Sequence, residues 1–246
     1  MKAILLAAGE GKRFSESGSK TYKQLYPFKN DPIIKRCVRL VKETQLFNEI
    51  IIILGQNHEC NKQIKDVLEA ENITYILNNN SRRDNNFLSV ESGLSYCKSS
   101  NESVVIIETD CIFSSSDLKK LVKDLSYNEV RWSNLGPASE DQKGGFLIID
   151  DIDLCTVHKI KIVDLFKEDK ELVKEKKYIK KMFGLTAMES KAINTYLDLS
   201  ERCAKKEDKY FHQIIMGSMA NFVNKTVSVG DISFSFNTLD ELNDNS

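Results

Sequence analysis

Five strand-length apolar runs recur along this chain, at residues 3–7, 49–54, 73–77, 103–107 and 146–149. Several are apolar throughout, which suits parallel strands covered on both faces; a strand with one wet face would alternate. Helical patterns fill the gaps, at 32–45, 58–69, 88–97 and 115–125. Strand and helix alternating four times predicts an α/β fold, a single-domain three-layer sandwich around a mostly parallel, twisted sheet. The 246 residues fit one large domain of this kind, spanning 1–246, and 41% hydrophobic content is too apolar for a disordered chain.

Beyond residue 126 the pattern weakens. Residues 127–143 carry Trp132, Gly136 and Pro137 without clear period and read as a long loop beside the site. The charge-rich run 174–181 reads as a solvated helix face, followed by a strand in MFGLTAM. Helices over 188–203 and around 211–221, a strand from Thr226 and the segment FNTLDEL complete the pattern.

Lys plus Arg number 35 against 36 Asp plus Glu, so no global field attracts nucleic acid or an anionic membrane, and any anion site must be local. The six cysteines are far apart, without a zinc-type pair or tight disulfide spacing, and read as reduced, mostly buried thiols. Lys2 alone precedes the short opening apolar run, which reads as a strand and not as a signal peptide, and no run reaches the roughly 18 residues of a bilayer span. The expected compartment is the cytoplasm. His58, His158 and His212 share no spacing with a nucleophile, and neither GxSxG nor HExxH occurs, which argues against hydrolase and zinc chemistry.

The first strand runs into Gly9-Glu10-Gly11-Lys12-Arg13-Phe14. Two glycines let the backbone turn sharply and present N–H groups to an anion, and Lys12 and Arg13 add positive charge. The loop lacks the GK[ST] of a Walker motif, and Phe14 stands where the dinucleotide fingerprint needs a third glycine. LLAAGEGKRF followed by YKQLYPFKNDPII resembles the signature LAAGxGxRL…PKxLxxxxGxPLI of nucleotidyltransferases that activate sugar phosphates, alcohol phosphates and phosphonates. Tyr22 replaces the usual proline, and Asn30-Asp31 the usual Gly-Lys. The resemblance implies that Leu6, Ala7, Ala8, Gly9, Glu10, Gly11, Lys12 and Arg13 hold a nucleoside triphosphate. It implies catalytic roles for Arg13 and Lys23, with Lys20 a nearby spare.

SVVIIETDCIF is an apolar strand ending in an acid, so Asp110 projects at the carboxyl end of the sheet, where α/β proteins bind ligands. By the same resemblance Asp110 is a magnesium ligand, and Asn237 in FNTLDEL is the second, with Asp231 an alternative and a helix-capping role for Asn237 a competitor. SRRDNNFLSVESGL is similar to base-binding segments of two cytidylyltransferase subgroups, which implicates Asn85 and Ser89, together with Thr109 after the strand. Choline-phosphate and phosphonate cytidylyltransferases are the nearer subgroup, because IIETDCIF matches their E-x-D-x-x-F. Trp132 is the aromatic candidate for a cationic acceptor and Lys181 the candidate for the acceptor phosphate, inside an acceptor-binding part covering roughly 127–225. The implied function is Mg²⁺-dependent transfer of a cytidylyl group from CTP to a small phosphorylated or phosphonate acceptor. The alternatives are a sugar-1-phosphate nucleotidyltransferase using UTP, GTP or TTP, and a catalytically silent nucleotide-binding subunit.

Overall fold

The computed structural model describes residues 1–69, 71–82, 85–139, 142–150, 152–162 and 178–244. Strands are β1 (Lys2–Ala7), β2 (Pro27–Phe28), β3 (Asp31–Pro32), β4 (Glu49–Leu54), β5 (Thr74–Leu77), β6 (Val104–Glu108) and β7 (Cys111–Ile112) in the first half. The second half adds β8 (Glu129–Pro137), β9 (Gly145–Ile149), β10 (Val157–Ile162), β11 (Ile179–Met188), β12 (Val223–Ser228) and β13 (Phe234–Ser235). The helices are α1 (Lys12–Glu16), α2 (Ile33–Thr44), α3 (His58–Val67), α4 (Phe87–Cys97), α5 (Ser115–Val122), α6 (Ser190–Ser200), α7 (His212–Met216) and α8 (Leu239–Asp244).

The main sheet runs β10-β9-β11-β6-β1-β4-β5, with β8 and β12 continuing from β11. Strands β6, β1, β4 and β5 are parallel to one another, and the sheet turns antiparallel where β11 meets β6. Alternation along the strands sorts side chains into two layers, as a period of two requires. Ala3, Leu5, Ile50, Ile52, Val105 and Ile107 pack under α2, α3 and α5. Ile4, Ile51, Ile53, Val104 and Ile106 pack under α4, α6 and α7. Both faces are therefore covered, which is the three-layer α/β sandwich the apolar runs imply.

The stretch 127–143 departs from its reading as a loop. Residues 129–137 form β8, which pairs antiparallel with β11 and parallel with β12. Its polar residues are buried because they find partners on the same strand or on the neighbouring one: Arg131 Nε donates to Glu129 Oε1 at 2.6 Å along β8, and Asn134 Nδ2 donates to Thr226 Oγ1 of β12 at 2.8 Å. Of the charged run, residues 174–177 lie outside the described residues, while Ile179–Lys181 belongs to β11 and not to a helix. Cys37, Cys60, Cys97 and Cys111 are buried free thiols, Cys203 is half-buried and Cys155 is exposed. No helix among the described residues is long and apolar enough to cross a membrane.

Candidate active site

The carboxyl ends of β1 and β6 open onto a cavity of about 630 Å³. Its floor on one side is the loop after β1. Gly11 there adopts φ 63°, and a Cβ at this position would lie 3.2 Å from Lys23 Cβ, so the turn favours glycine on both counts. Buried Gln24 fixes the loop from beneath, with Nε2 donating to the Ala7 carbonyl at 3.3 Å and the Gly9 carbonyl at 2.9 Å. Glu10 is paired by Lys12 and Arg82, each at 3.3 Å, which ties the loop to the segment ahead of α4. Leu6, Ala8, Gly9, Glu10, Gly11, Lys12 and Arg13 all line the cavity. Ala7 does not; its side chain is buried in the layer with α2.

Lys23 Nζ stands 3.2 Å from Asp110 Oδ2 and 4.9 Å from the centre of the Phe236 ring. The ammonium is thus held between a carboxylate and an aromatic face before any ligand arrives. Asp110 follows β6, and its carbonyl accepts from Phe236 N at 3.0 Å. That bond and the pairing of β13 with β7 bring Asn237 to the same wall of the cavity as Asp110. Lys20 and Asp231 are exposed and stand outside the lining, so Lys23 and Asn237 are the members of each pair that reach the site. Among the described residues no group of three or more His, Cys, Asp or Glu side chains is arranged to hold a metal. A carboxylate and an amide oxygen fit a hard divalent cation that keeps its other positions for water and phosphate oxygens.

Glu108, Lys181 and His212 also line the cavity, Glu108 at the end of β6 two residues before Asp110. Burial, reinforced by the negative charge of Asp110, pushes the Glu108 carboxyl well above its usual range, while Lys23, Lys181 and a 3.0 Å bond from Asn86 Nδ2 draw it back. Gly184 allows β11 to lie flush here, since a Cβ would come within 2.9 Å of Glu108. Burial also lowers the Lys181 ammonium, against the raising influence of Glu108, and Nζ donates to the Gly145 carbonyl at 3.3 Å. His212 is 8% exposed, and burial with the nearby Lys181 charge lowers it to about 4, so it is a neutral imidazole at pH 7.

The remaining sequence candidates divide. Ser89 and Thr109 line the cavity; the Thr109 hydroxyl donates to the Leu6 carbonyl at 2.8 Å and Ser89 Oγ accepts from Asn78, so both brace the wall. Asn85 also lines it, with Nδ2 bonded to the Asp208 carbonyl. Arg83 and Asp84 of the RxD piece lie outside the described residues. The expected role of Trp132 is corrected: its ring is wholly buried, stacked on Phe211 at 6.0 Å with Nε1 donating to Asn224 Oδ1, and it has no face to offer a ligand. Sequence reasoning gave no role to Gln24, Asn86, Tyr210 or His212; Gln24 and Asn86 lie inside the motif segments YKQLYPF and SRRDNN, whereas Tyr210 and His212 sit in no recurring motif. Glu108 was visible only as the first letter of E-x-D-x-x-F.

A family model describing a MobA-like NTP transferase domain matches residues 3–144, more than half of the chain. Among solved structures, CTP:phosphocholine cytidylyltransferase from Streptococcus pneumoniae aligns with a TM-score of 0.75 at 18% identity, over 99% of this chain and 96% of that one. The inositol-1-phosphate CTP transferase from T. maritima aligns at 0.74 and 14% identity, over 98% and 90%. A UDP-glucose pyrophosphorylase complexed with UDP-glucose aligns at 0.74 and 15%, over 99% and 96%. No curated protein sequence matches the chain.

Proposed function

The chain belongs to the MobA-like NTP transferase domain family, and on that premise we propose that it transfers a cytidylyl group from CTP to a small phosphorylated or phosphonate acceptor, releasing pyrophosphate. The observation that carries this reading is the convergence of the Gly9–Arg13 loop, Lys23 and Asp110 on one cavity whose far wall is built by β11. A phosphate-sized anion on the loop would meet the cations of Lys12, Arg13 and Lys23. The cavity of about 630 Å³, which Lys181 also lines, would take a second substrate beside it.

An acceptor phosphate oxygen attacks the α-phosphorus, the new O–P bond forms, and the bond from the α-phosphorus to the bridging oxygen breaks as pyrophosphate leaves. No enzyme nucleophile is required. The loop's backbone N–H groups and Arg13 hold the leaving phosphates, while Lys23, already fixed against Asp110, places its charge where negative charge accumulates. Asp110 and Asn237 would hold Mg²⁺, which supplies further positive charge beside the phosphates. Lys181, on β11, would orient the acceptor phosphate. Ser89 and Asn85 mark the end of the cavity where a base would lie.

The choice of CTP is supported by the similarity of residues 81–94 to cytidylyltransferase segments and by two neighbours of similar fold whose names include CTP. The equal fit of the UDP-glucose pyrophosphorylase supports a second reading, in which a sugar 1-phosphate reacts with UTP or another triphosphate. Pyrophosphate release from CTP, UTP, GTP and TTP with a panel of phosphorylated acceptors and Mg²⁺ tests both. We expect CTP to lead. Equal or faster turnover of UTP with a sugar 1-phosphate transfers the assignment to the second reading, and no release from any pair leaves only nucleotide binding.

A further inference from the structure

His212 opens α7, and its ring is fixed on two sides, stacked on Tyr210 at 5.4 Å and 17° and meeting Phe211 edge-on at 5.5 Å and 82°. The helix start is itself anchored to the cavity wall, because Phe211 N donates to Asn86 Oδ1 at 3.0 Å and Asn86 bonds Glu108. Yet His212 Nε2 is buried and has no hydrogen-bond partner among the described residues. Buried polar atoms in folded proteins are nearly always paired, and on a residue that lines the cavity the missing bond is one that a ligand group would supply.

We propose that His212 is a specificity-determining residue for the acceptor, its Nε2 hydrogen-bonding a hydroxyl on the acceptor's organic part, so that the acceptor is a phosphorylated polyol or sugar and not a quaternary amine. This rests on the transferase reading of the same cavity. A hydroxyl both donates and accepts and so satisfies a neutral imidazole in either tautomer. A trimethylammonium group does neither and would leave Nε2 unpaired. It would also bring a positive charge beside Lys181, whose own charge adds to burial in depressing His212. Glu108 Oε1 already accepts from Asn86, Trp132 is wholly buried, and the rings that line the cavity, Tyr210 and Phe211, are engaged in packing against His212.

The test compares sn-glycerol 3-phosphate, ribitol 5-phosphate, glucose 1-phosphate and phosphocholine as probes with the wild type, His212→Leu and His212→Asn. Turnover is followed by pyrophosphate release, and binding by calorimetry. We expect at least one hydroxylated probe to bind more tightly than phosphocholine. His212→Leu should weaken it about tenfold or more, on the scale of one lost polar contact in a dry site, with the KM for CTP and the Tm undiminished. His212→Asn, which keeps a polar atom, should recover part of the affinity. A merely structural histidine would instead show a lower Tm with acceptor affinity intact. Preference for phosphocholine, unchanged affinity in His212→Leu, or no binding of any hydroxylated probe to the wild type would overturn the proposal. His212-dependent binding without pyrophosphate release would sink the transferase reading alone. Release that is indifferent to His212→Leu would sink this assignment alone.

Discussion

Lys23 Nζ and Asp110 Oδ2 meet at 3.2 Å although 87 residues separate them in sequence. The lysine side chain is only 12% exposed, so the charge is held in place and not waving in solvent. Each partner sets the position of the other, and in the proposed reaction the two would act on a phosphate as a unit.

Lys23→Ala should therefore lower kcat about a hundredfold, on the order of 3 kcal/mol of transition-state stabilisation. Asp110→Asn should cost at least as much. The double variant should be little worse than either single one, since coupled residues are not additive. Lys20→Ala, exposed and off the cavity, should retain wild-type turnover. Steady-state kinetics of the four proteins decides this, and additive losses at Lys23 and Asp110 would refute the coupling.

Trp132 belongs to stability and not to substrate choice. Trp132→Ala should destabilise the protein by about 3–5 kcal/mol, the cost of emptying a large buried side chain, and should also orphan the Asn224 amide oxygen. In chemical denaturation the midpoint should fall, while the acceptor KM, measured where the variant is folded, should stay within about twofold of wild type.

The parallel centre of the fold is legible because β1, β4 and β6 are covered on both faces and carry no polar residue in their middles. Strand β8 hides for the opposite reason. Glu129, Arg131, Ser133 and Asn134 are buried, but each finds its partner on the same or a neighbouring strand or on the α5 carbonyls, and a hydrophobicity pattern cannot see pairing that tertiary structure creates. The site splits along the same line. Gly11, Lys23 and Asp110 stand next to punctuation that local chemistry explains: a glycine turn and an acid closing an apolar strand. His212 gains its role only from the chain folding back, and nothing beside it in sequence announces it; Gln24 stands beside Lys23 in the motif, but its hold on the loop after β1 appears only in the fold.

His212 also links acidity to stability. Its folded value of about 4 lies below the ordinary 6.5, so between those limits the unfolded chain binds more protons. Stability should rise with pH from about 4 to 6.5, with the full contribution present above 6.5 and lost as pH falls. The size is at most about 3 kcal/mol, at about 1.4 kcal/mol per pH unit. Denaturation midpoints across this range should show the slope in the wild type and a shallower one in His212→Leu. Parallel curves would count against a neutral buried histidine.

The two loop glycines should behave differently. Gly11→Ala places a side chain in a left-handed turn and against Lys23 Cβ, and should cost about 1 kcal/mol or more of stability and raise the KM for the triphosphate. A Cβ on Gly9 meets nothing within 4 Å, so Gly9→Ala should leave stability near wild type. Thermal melts of both variants, with and without triphosphate, make the comparison.

Residues 234–239 complete the front of the site: β13 pairs with β7, Phe236 packs edge-on against Phe14, and Leu239 N donates to Ser17 Oγ across 222 residues of sequence. Contacts of that span are the slowest for a folding chain to make. As the polypeptide grows, the nine-stranded sheet can be complete by Ser228 while the cavity still lacks the wall that carries Ser235 and Asn237. Binding competence should then appear as a late, abrupt event, and a chain stopped at Ile232 should fold its core yet leave Lys23 without the ring it leans on.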